Sequence, residues 1–139
     1  MKIVIDTNVL MAALLNDSIV RRVLLSKNIE FFLPKFGIDE INKYRKYLLE
    51  KTKYSDEEFN FMLKEVTAEL KIIHNKNLRR YMKKADKIME KIDFKDAPFI
   101  AVCLAIRADG IWSFDNHFKK QKIIKVYSTK ELLKIVKEV

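Results

Sequence analysis

Asp6 stands where an apolar run ends. In the opening segment MKIVIDTNVLMAAL, Ile3 to Ile5 is continuously apolar, Asp6 stops it, and Thr7 and Asn8 lead into a second apolar segment. Three more acids occupy comparable places beside a predicted strand end or helix start: Glu40, Asp96 and Asp115. In a parallel α/β sheet such groups can meet at the carboxyl ends of the strands, where open sheets place their sites. Four carboxylates gathered there would repel one another and resist ionisation unless a cation joined them. The chemistry indicated is that of a divalent metal. A formal net charge of +9 points that chemistry at a phosphate polymer.

Each acid also has a plainer reading. Asp6 can cap the helix that follows it, with Thr7 or Asn8 as equal candidates, but a charge and two polar residues after a buried strand exceed what a cap requires. Glu40 sits beside Asp39 on a helix flanked by core positions Ile38 and Ile41, so one of the two lies near the buried edge. Asp96 precedes Ala97-Pro98 and reads as an N-cap, which is compatible with metal binding because a carboxylate has two oxygens. Asp93, one turn upstream, either joins that site or faces solvent. Asp115, after Trp112-Ser113-Phe114 and before Asn116, suits a turn. Ser113 can orient the acid or a water, or satisfy backbone. His74 reads as an ordinary strand-end residue, and His117 is notable only for its closeness to Asp115.

The elements that must position these acids alternate. Lys2 to Ile5 reads as a buried strand, followed by helical stretches at Val9–Leu15 and Ile19–Leu25 and a short strand from Glu30 to Leu33 closed by Pro34. Ile38, Ile41, Tyr44, Leu48 and Leu49 are spaced for one helical face. Ser55-Asp56-Glu57-Glu58 is a capping box opening a helix striped by Phe59, Met62, Leu63, Val66 and Leu70. Lys71 to His74 reads as a strand. Leu78, Tyr81, Met82, Ala85, Ile88, Met89 and Ile92 form another helical stripe. Ala97 to Ile106 is apolar nearly all round and should be deeply buried. Gly110–Ser113 and Ile123–Val126 read as strands, and Ser128 to Glu131 caps a terminal helix carrying Leu132, Leu133 and Val136. This order predicts a mostly parallel sheet between helical layers.

Composition narrows the function classes. With 139 residues, 49% hydrophobic and 34% charged, the chain is expected to be one domain, residues 1–139. No apolar run is long enough to span a bilayer, and the start reads as a strand and not as a signal peptide, so the expected compartment is cytoplasmic. One cysteine, Cys103, excludes an internal disulfide framework and a cysteine-built zinc site; in its apolar helix it reads as core. Two glycines, Gly37 and Gly110, exclude a P-loop and a dinucleotide fingerprint. Hard oxygen ligands without cysteine or clustered histidine suit Mg²⁺ or Mn²⁺, one or two ions, better than Zn²⁺. Arg79, Arg80, Lys83, Lys84 and Lys87 lie opposite the apolar stripe of their helix; they are either a solvated face or a surface that tracks a nucleic-acid backbone, with Arg79 and Arg80 the preferred phosphate contacts. Trp112 reads as packed in the sheet, with base stacking as the alternative.

Taken in order, DTNVL at Asp6–Leu10, IDEI at Ile38–Ile41, DAPFIAVCLA at Asp96–Ala105 and SFDNHF at Ser113–Phe118 resemble the PIN-domain nucleases over almost the whole chain. The resemblance implies a three-layer α/β/α sandwich and an acidic cluster that binds Mg²⁺ or Mn²⁺, here Asp6, Glu40, Asp96 and Asp115, with Asn8 and Ser113 as supporting polar residues. It is also what selects Glu40 over Asp39. Many relatives carry another acid two residues beyond the Asp115 position, where this chain has His117; that departure bears on a second metal. The chemistry does not itself choose RNA over DNA, since it needs no 2′-hydroxyl; the resemblance implies an endoribonuclease acting on RNA. Small members resemble the toxin halves of toxin–antitoxin pairs, which implies an antitoxin partner and a homodimer, while other small members act in RNA processing.

Rival readings make distinct demands. A PIN-like module that binds without cutting has no need of all four acids. A haloacid dehalogenase-like phosphatase would use Asp6 as nucleophile but usually places a second Asp where Asn8 stands. A receiver-like domain would want a paired acid beside the acceptor and a late lysine.

Overall fold

The first strand is the axis of the molecule. In a computed structural model of the chain, which describes residues 1–137, β1 (Lys2–Ile5) lies at the centre of a five-stranded sheet and is paired on both sides. β2 (Glu30–Pro34) runs parallel on one edge of β1, with Ile3 opposite Phe31, and β4 (Gly110–Trp112) runs parallel on the other, with Ile5 opposite Trp112. β3 (Leu70–Ile73) extends the β2 side and β5 (Val126–Tyr127) the β4 side, both parallel, giving the order β3-β2-β1-β4-β5. A strand paired on both edges and covered on both faces must be apolar throughout, and Ile3, Val4 and Ile5 are fully buried.

The chain moves outward from β1 to β3, then returns to the opposite side of β1 for β4. That reversal opens a crevice beyond the carboxyl ends of β1 and β4. α7 (Ala97–Ile106) lies across β1, β2 and β4, and α6 (Arg79–Met89) packs along it. α1 (Thr7–Leu14), α2 (Ser18–Leu24), α5 (Asp56–Thr67) and α8 (Thr129–Lys137) form the other layer, with α1 against α2 and α5, and α2 against α8. The architecture is the expected α/β/α sandwich around a parallel sheet. Trp112, Phe31, Phe59, Phe99 and Phe118 are the largest fully buried side chains, and Phe118 and Phe31 touch Phe99 and Trp112 respectively.

Several local expectations change. The helical face drawn from Ile38 to Leu49 is divided into α3 (Lys35–Lys43) and α4 (Arg45–Thr52) at Tyr44, whose backbone leaves the helix (φ −95°, ψ 10°). Periodicity does not carry across that break, so Leu48 is buried while Tyr44 is exposed. Leu70, counted on the α5 stripe, belongs to β3, because α5 ends at Thr67 and the chain turns. The last strand is Val126–Tyr127 and not Ile123–Val126; residues 121–125 form a loop held by Gln121, whose amide donates to the carbonyls of Phe118 and Ile124 and whose oxygen accepts from the Ile123 and Ile124 amides. Both capping boxes are present: Ser55 with Glu58, and Ser128 with Glu131. Cys103 is core, and burial pushes its thiol up. Trp112 is fully enclosed, its indole N–H donating to Thr129 Oγ1 at 3.0 Å, which removes it from any base-stacking role.

Candidate active site

Asp6 is the first residue beyond β1 and is 5% exposed. Its amide donates to the Trp112 carbonyl at 3.0 Å, tying the ends of β1 and β4 together. It occupies the N-cap position of α1, yet its side chain makes no capping bond. Instead Oδ2 accepts from Ser113 Oγ at 2.8 Å, and that hydroxyl oxygen accepts from the Asp115 amide at 2.9 Å. Ser113, buried just past β4, therefore fixes one acid directly and the loop of another. Asp115 turns its own loop, Oδ1 accepting from the His117 amide at 2.8 Å.

Glu40 comes from α3, which follows β2. Gly37, one turn earlier, admits α3 to the sheet: a Cβ there would stand 2.5 Å from Leu33 Cδ1. Thr7 Oγ1 donates to Glu40 Oε1 at 2.6 Å and aims the carboxylate across α1. Asp39 is exposed and paired with Lys35 at 2.5 Å. Asp96 occupies the N-cap position of α7, with Pro98 in the first turn, but its side chain does not cap. The expectation of a capping carboxylate fails there because Asp96 itself has near-helical backbone (φ −87°, ψ −2°), whereas a capping residue is extended. The Asp96 Oδ2 is buried with no hydrogen-bond partner among the described residues.

These four acids, with Thr7, Asn8, Met11 and Tyr44, line one cavity of about 190 Å³ in the switch-point crevice. Asn8 is exposed at its mouth. Tyr44 and Thr7 escaped the sequence reading: the first was assigned to a core face that ends at the α3–α4 break, and the second reads as an ordinary cap. Beside the cavity, Asp93, Asp96 and His117 each bring one ligand-type atom within 4.8 Å of the others. His117 Nδ1 stands 3.3 Å from Asp115 Oδ2 and 3.8 Å from the Oδ2 of both Asp93 and Asp96, and it too is buried without a hydrogen-bond partner among the described residues. Asp93 thus joins the acidic group and does not simply face solvent.

The electrostatics follow from burial and crowding. Burial raises the Asp6 carboxyl to about 6 and repulsion from Asp115 and Glu40 adds to it, while the Ser113 hydroxyl opposes the shift. Asp96 rises to about 7, first through burial, then through repulsion from Asp6, Asp93 and Asp115, with His117 opposing. Orphaned Oδ2 and Nδ1 atoms, mutually repelling carboxylates and an otherwise all-oxygen donor set fit a divalent cation. Arg79 and Arg80 are not part of this cavity. Both are exposed in the first turn of α6, where Arg79 lines a separate cleft.

Comparison with known proteins agrees with the fold. The chain is similar to a chain in the crystal structure of VapBC2 from Rickettsia felis bound to a DNA fragment from their promoter. The TM-score is 0.69 at 19% identity, covering 92% of this chain and 98% of that one. At that identity the likeness is one of fold. No curated protein sequence matches. The PIN domain family matches residues 4–134.

Proposed function

This chain belongs to the PIN-domain family, and from that premise we propose that it is a metal-dependent endoribonuclease formed by residues 1–139 as one domain. The observation that carries the reading is the convergence of Asp6, Glu40, Asp96 and Asp115 on one cavity from four separate parts of the chain. Those four would hold one Mg²⁺ or Mn²⁺, with Asp93 and His117 beside Asp96 as ligands for a second. When bound, such ions supply Lewis acidity that activates water for in-line displacement and neutralises charge on the phosphodiester.

The chain's own groups do the positioning. Ser113 holds Asp6 at 2.8 Å and Thr7 holds Glu40 at 2.6 Å, so both carboxylates are set before substrate arrives. Asn8 and Tyr44, at the rim, reach the strand that enters the cavity. The exposed basic face of α6, led by Arg79 and Arg80, tracks phosphates. Hydrolysis leaves 5′-phosphate and 3′-hydroxyl ends. Small chains of this pattern resemble toxins, and the similar solved chain comes from a VapBC2 complex, which supports an antitoxin partner and a homodimer here.

The test is cleavage of labelled single-stranded and structured RNA and DNA oligomers with Mg²⁺, Mn²⁺ or EDTA, alongside Asp6→Asn. Metal-dependent RNA cutting that vanishes in the variant is expected. Binding without cutting by the wild type would mark a non-cleaving scaffold, and DNA cutting would move the substrate class.

A further inference from the structure

A second cleft, of about 300 Å³, is lined in part from α3, which also carries Glu40, and from α7, which Asp96 precedes. On α3, Phe36 faces this cleft one helical turn before Glu40, and Asp39 is the residue next to Glu40. On α7, Pro98 lines it two residues after Asp96. Its walls are flat or soft and apolar: Phe36, Pro98 and Met82. Its rim is polar and exposed: Asp39, Asn75 and Arg79. Phe36 is held from behind by an edge-on contact with Phe99, ring centroids 5.9 Å apart, so its ring is a fixed platform.

We propose that this cleft is a nucleobase subsite, which seats the base next to the phosphate in the acidic cavity and selects adenine and cytosine. The inference rests on the nuclease reading above. Three features argue for a base as occupant. Stacking on an aromatic wall beside a cationic rim is how unpaired bases are held, and the cleft offers that wall in Phe36 with Arg79 on its rim. Phe36 and Glu40 are one turn apart on α3, and Pro98 follows Asp96 by two residues, which sets the cleft beside the proposed phosphate site. The exposed α6 face beyond Arg79 carries Arg80, Lys83, Lys84 and Lys87, which give a strand a route outward.

Selection comes from Asp39. A carboxylate only accepts hydrogen bonds. One oxygen is engaged by Lys35 at 2.5 Å, and the other has no partner among the described residues. Cytosine and adenine present an amino donor at C4 and C6, where uracil, thymine and guanine present a carbonyl oxygen that the carboxylate would repel.

The test has two arms. In the first, wild type in EDTA is titrated with each of the four ribonucleoside 5′-monophosphates while the Met82 methyl and Phe36 ring resonances are followed by NMR. Saturable shifts with CMP and AMP, and at least about 10-fold weaker binding of UMP and GMP, are expected from one hydrogen bond to a charged acceptor. In the second, KM and kcat are measured on RNA oligomers varied at the bases flanking the cut. Arg79→Ala should raise KM about 5-fold with kcat unchanged. Asp39→Ala should erase the discrimination against uridine. Shifts without any cleavage would sink the nuclease reading and leave the subsite standing. Cleavage with no shifts at Met82 and Phe36, or with base preference unaltered in Asp39→Ala, would overturn the subsite.

Discussion

Asp6→Asn should stabilise the metal-free protein while destroying its activity. The folded protein raises the Asp6 carboxyl from its ordinary 3.8 to about 6, chiefly by burial. A group whose folded value is raised leaves folding unaffected below its unfolded value, and it costs stability as pH rises toward and past the folded value. At about 1.4 kcal/mol per pH unit between the two values, the penalty reaches roughly 3 kcal/mol above pH ~6. Asparagine removes it. Its amide oxygen still accepts from Ser113, and its NH₂ faces Glu40, Asp96 and Asp115, all acceptors. For a chain of this length the gain is roughly 10 °C in Tm.

The assay is thermal unfolding by circular dichroism in EDTA, wild type against variant, at pH 4, 5.5 and 8. The gain should be largest at pH 8, smaller at 5.5 and absent at 4. Added Mg²⁺ should raise the wild-type Tm at pH 8 and leave the variant nearly unmoved. RNA cleavage by the variant should fall at least about 100-fold. An unchanged or lower Tm for the variant at pH 8 would refute the claim that the carboxylate is held at a cost that a cation relieves.

Four further outcomes are expected. Thr7→Val removes the donor that aims Glu40, so Mg²⁺ affinity by calorimetry should drop about 10-fold, and an unchanged affinity would free Glu40 from any need of positioning. Raising salt should raise the KM on long RNA, with the slope of log KM against log salt reduced by about 1 to 2 in Arg79→Ala/Arg80→Ala; a salt-independent KM would remove the α6 face from substrate binding. His117→Asp trades an imidazole nitrogen for oxygen beside Asp93 and Asp96, so the ratio of Mg²⁺- to Mn²⁺-supported rates should rise, and an unchanged ratio would place that nitrogen outside any metal's reach. Gly110→Ala would set a Cβ 2.6 Å from the Lys125 carbonyl and from Tyr127 Cε2, so a denaturant melt should show a loss of about 2 kcal/mol or more, against none if β5 can move away.

The fold was legible wherever one local rule spoke alone. β1 shows as an unbroken apolar triplet because both faces and both edges of a central strand are covered. α7 shows as an apolar decapeptide because it rests on three strands with α6 against its side. The misreadings fall where two signals overlap or backbone geometry overrides pattern. Tyr44 keeps helical spacing across a break that only its φ and ψ disclose, and Leu70 continues the α5 stripe by coincidence of spacing while starting β3. The 121–125 loop is apolar enough to imitate a strand, and it is settled by four hydrogen bonds from a single glutamine, which no periodicity announces.

The acids were legible for a different reason: each sits where a polar residue is tolerated, and Asp6 and Asp96 do not perform the plain task their positions offer. Asp6 and Asp96 hold cap positions without capping, and Asp6 spends its oxygen on Ser113, more than a hundred residues away in sequence. A residue retained in a capping place without its capping bond, buried and crowded by like charge, lowers stability in isolation. The partners that make sense of it, Ser113, Thr7 and His117, are short or common side chains whose roles depend on which strand ends become neighbours. That neighbourhood is set by the return of the chain from β3 to the far side of β1. Topology thus gathers four locally unremarkable carboxylates at one crevice, and the burial and crowding that raise Asp6 and Asp96 there make the site one that a divalent cation would fit.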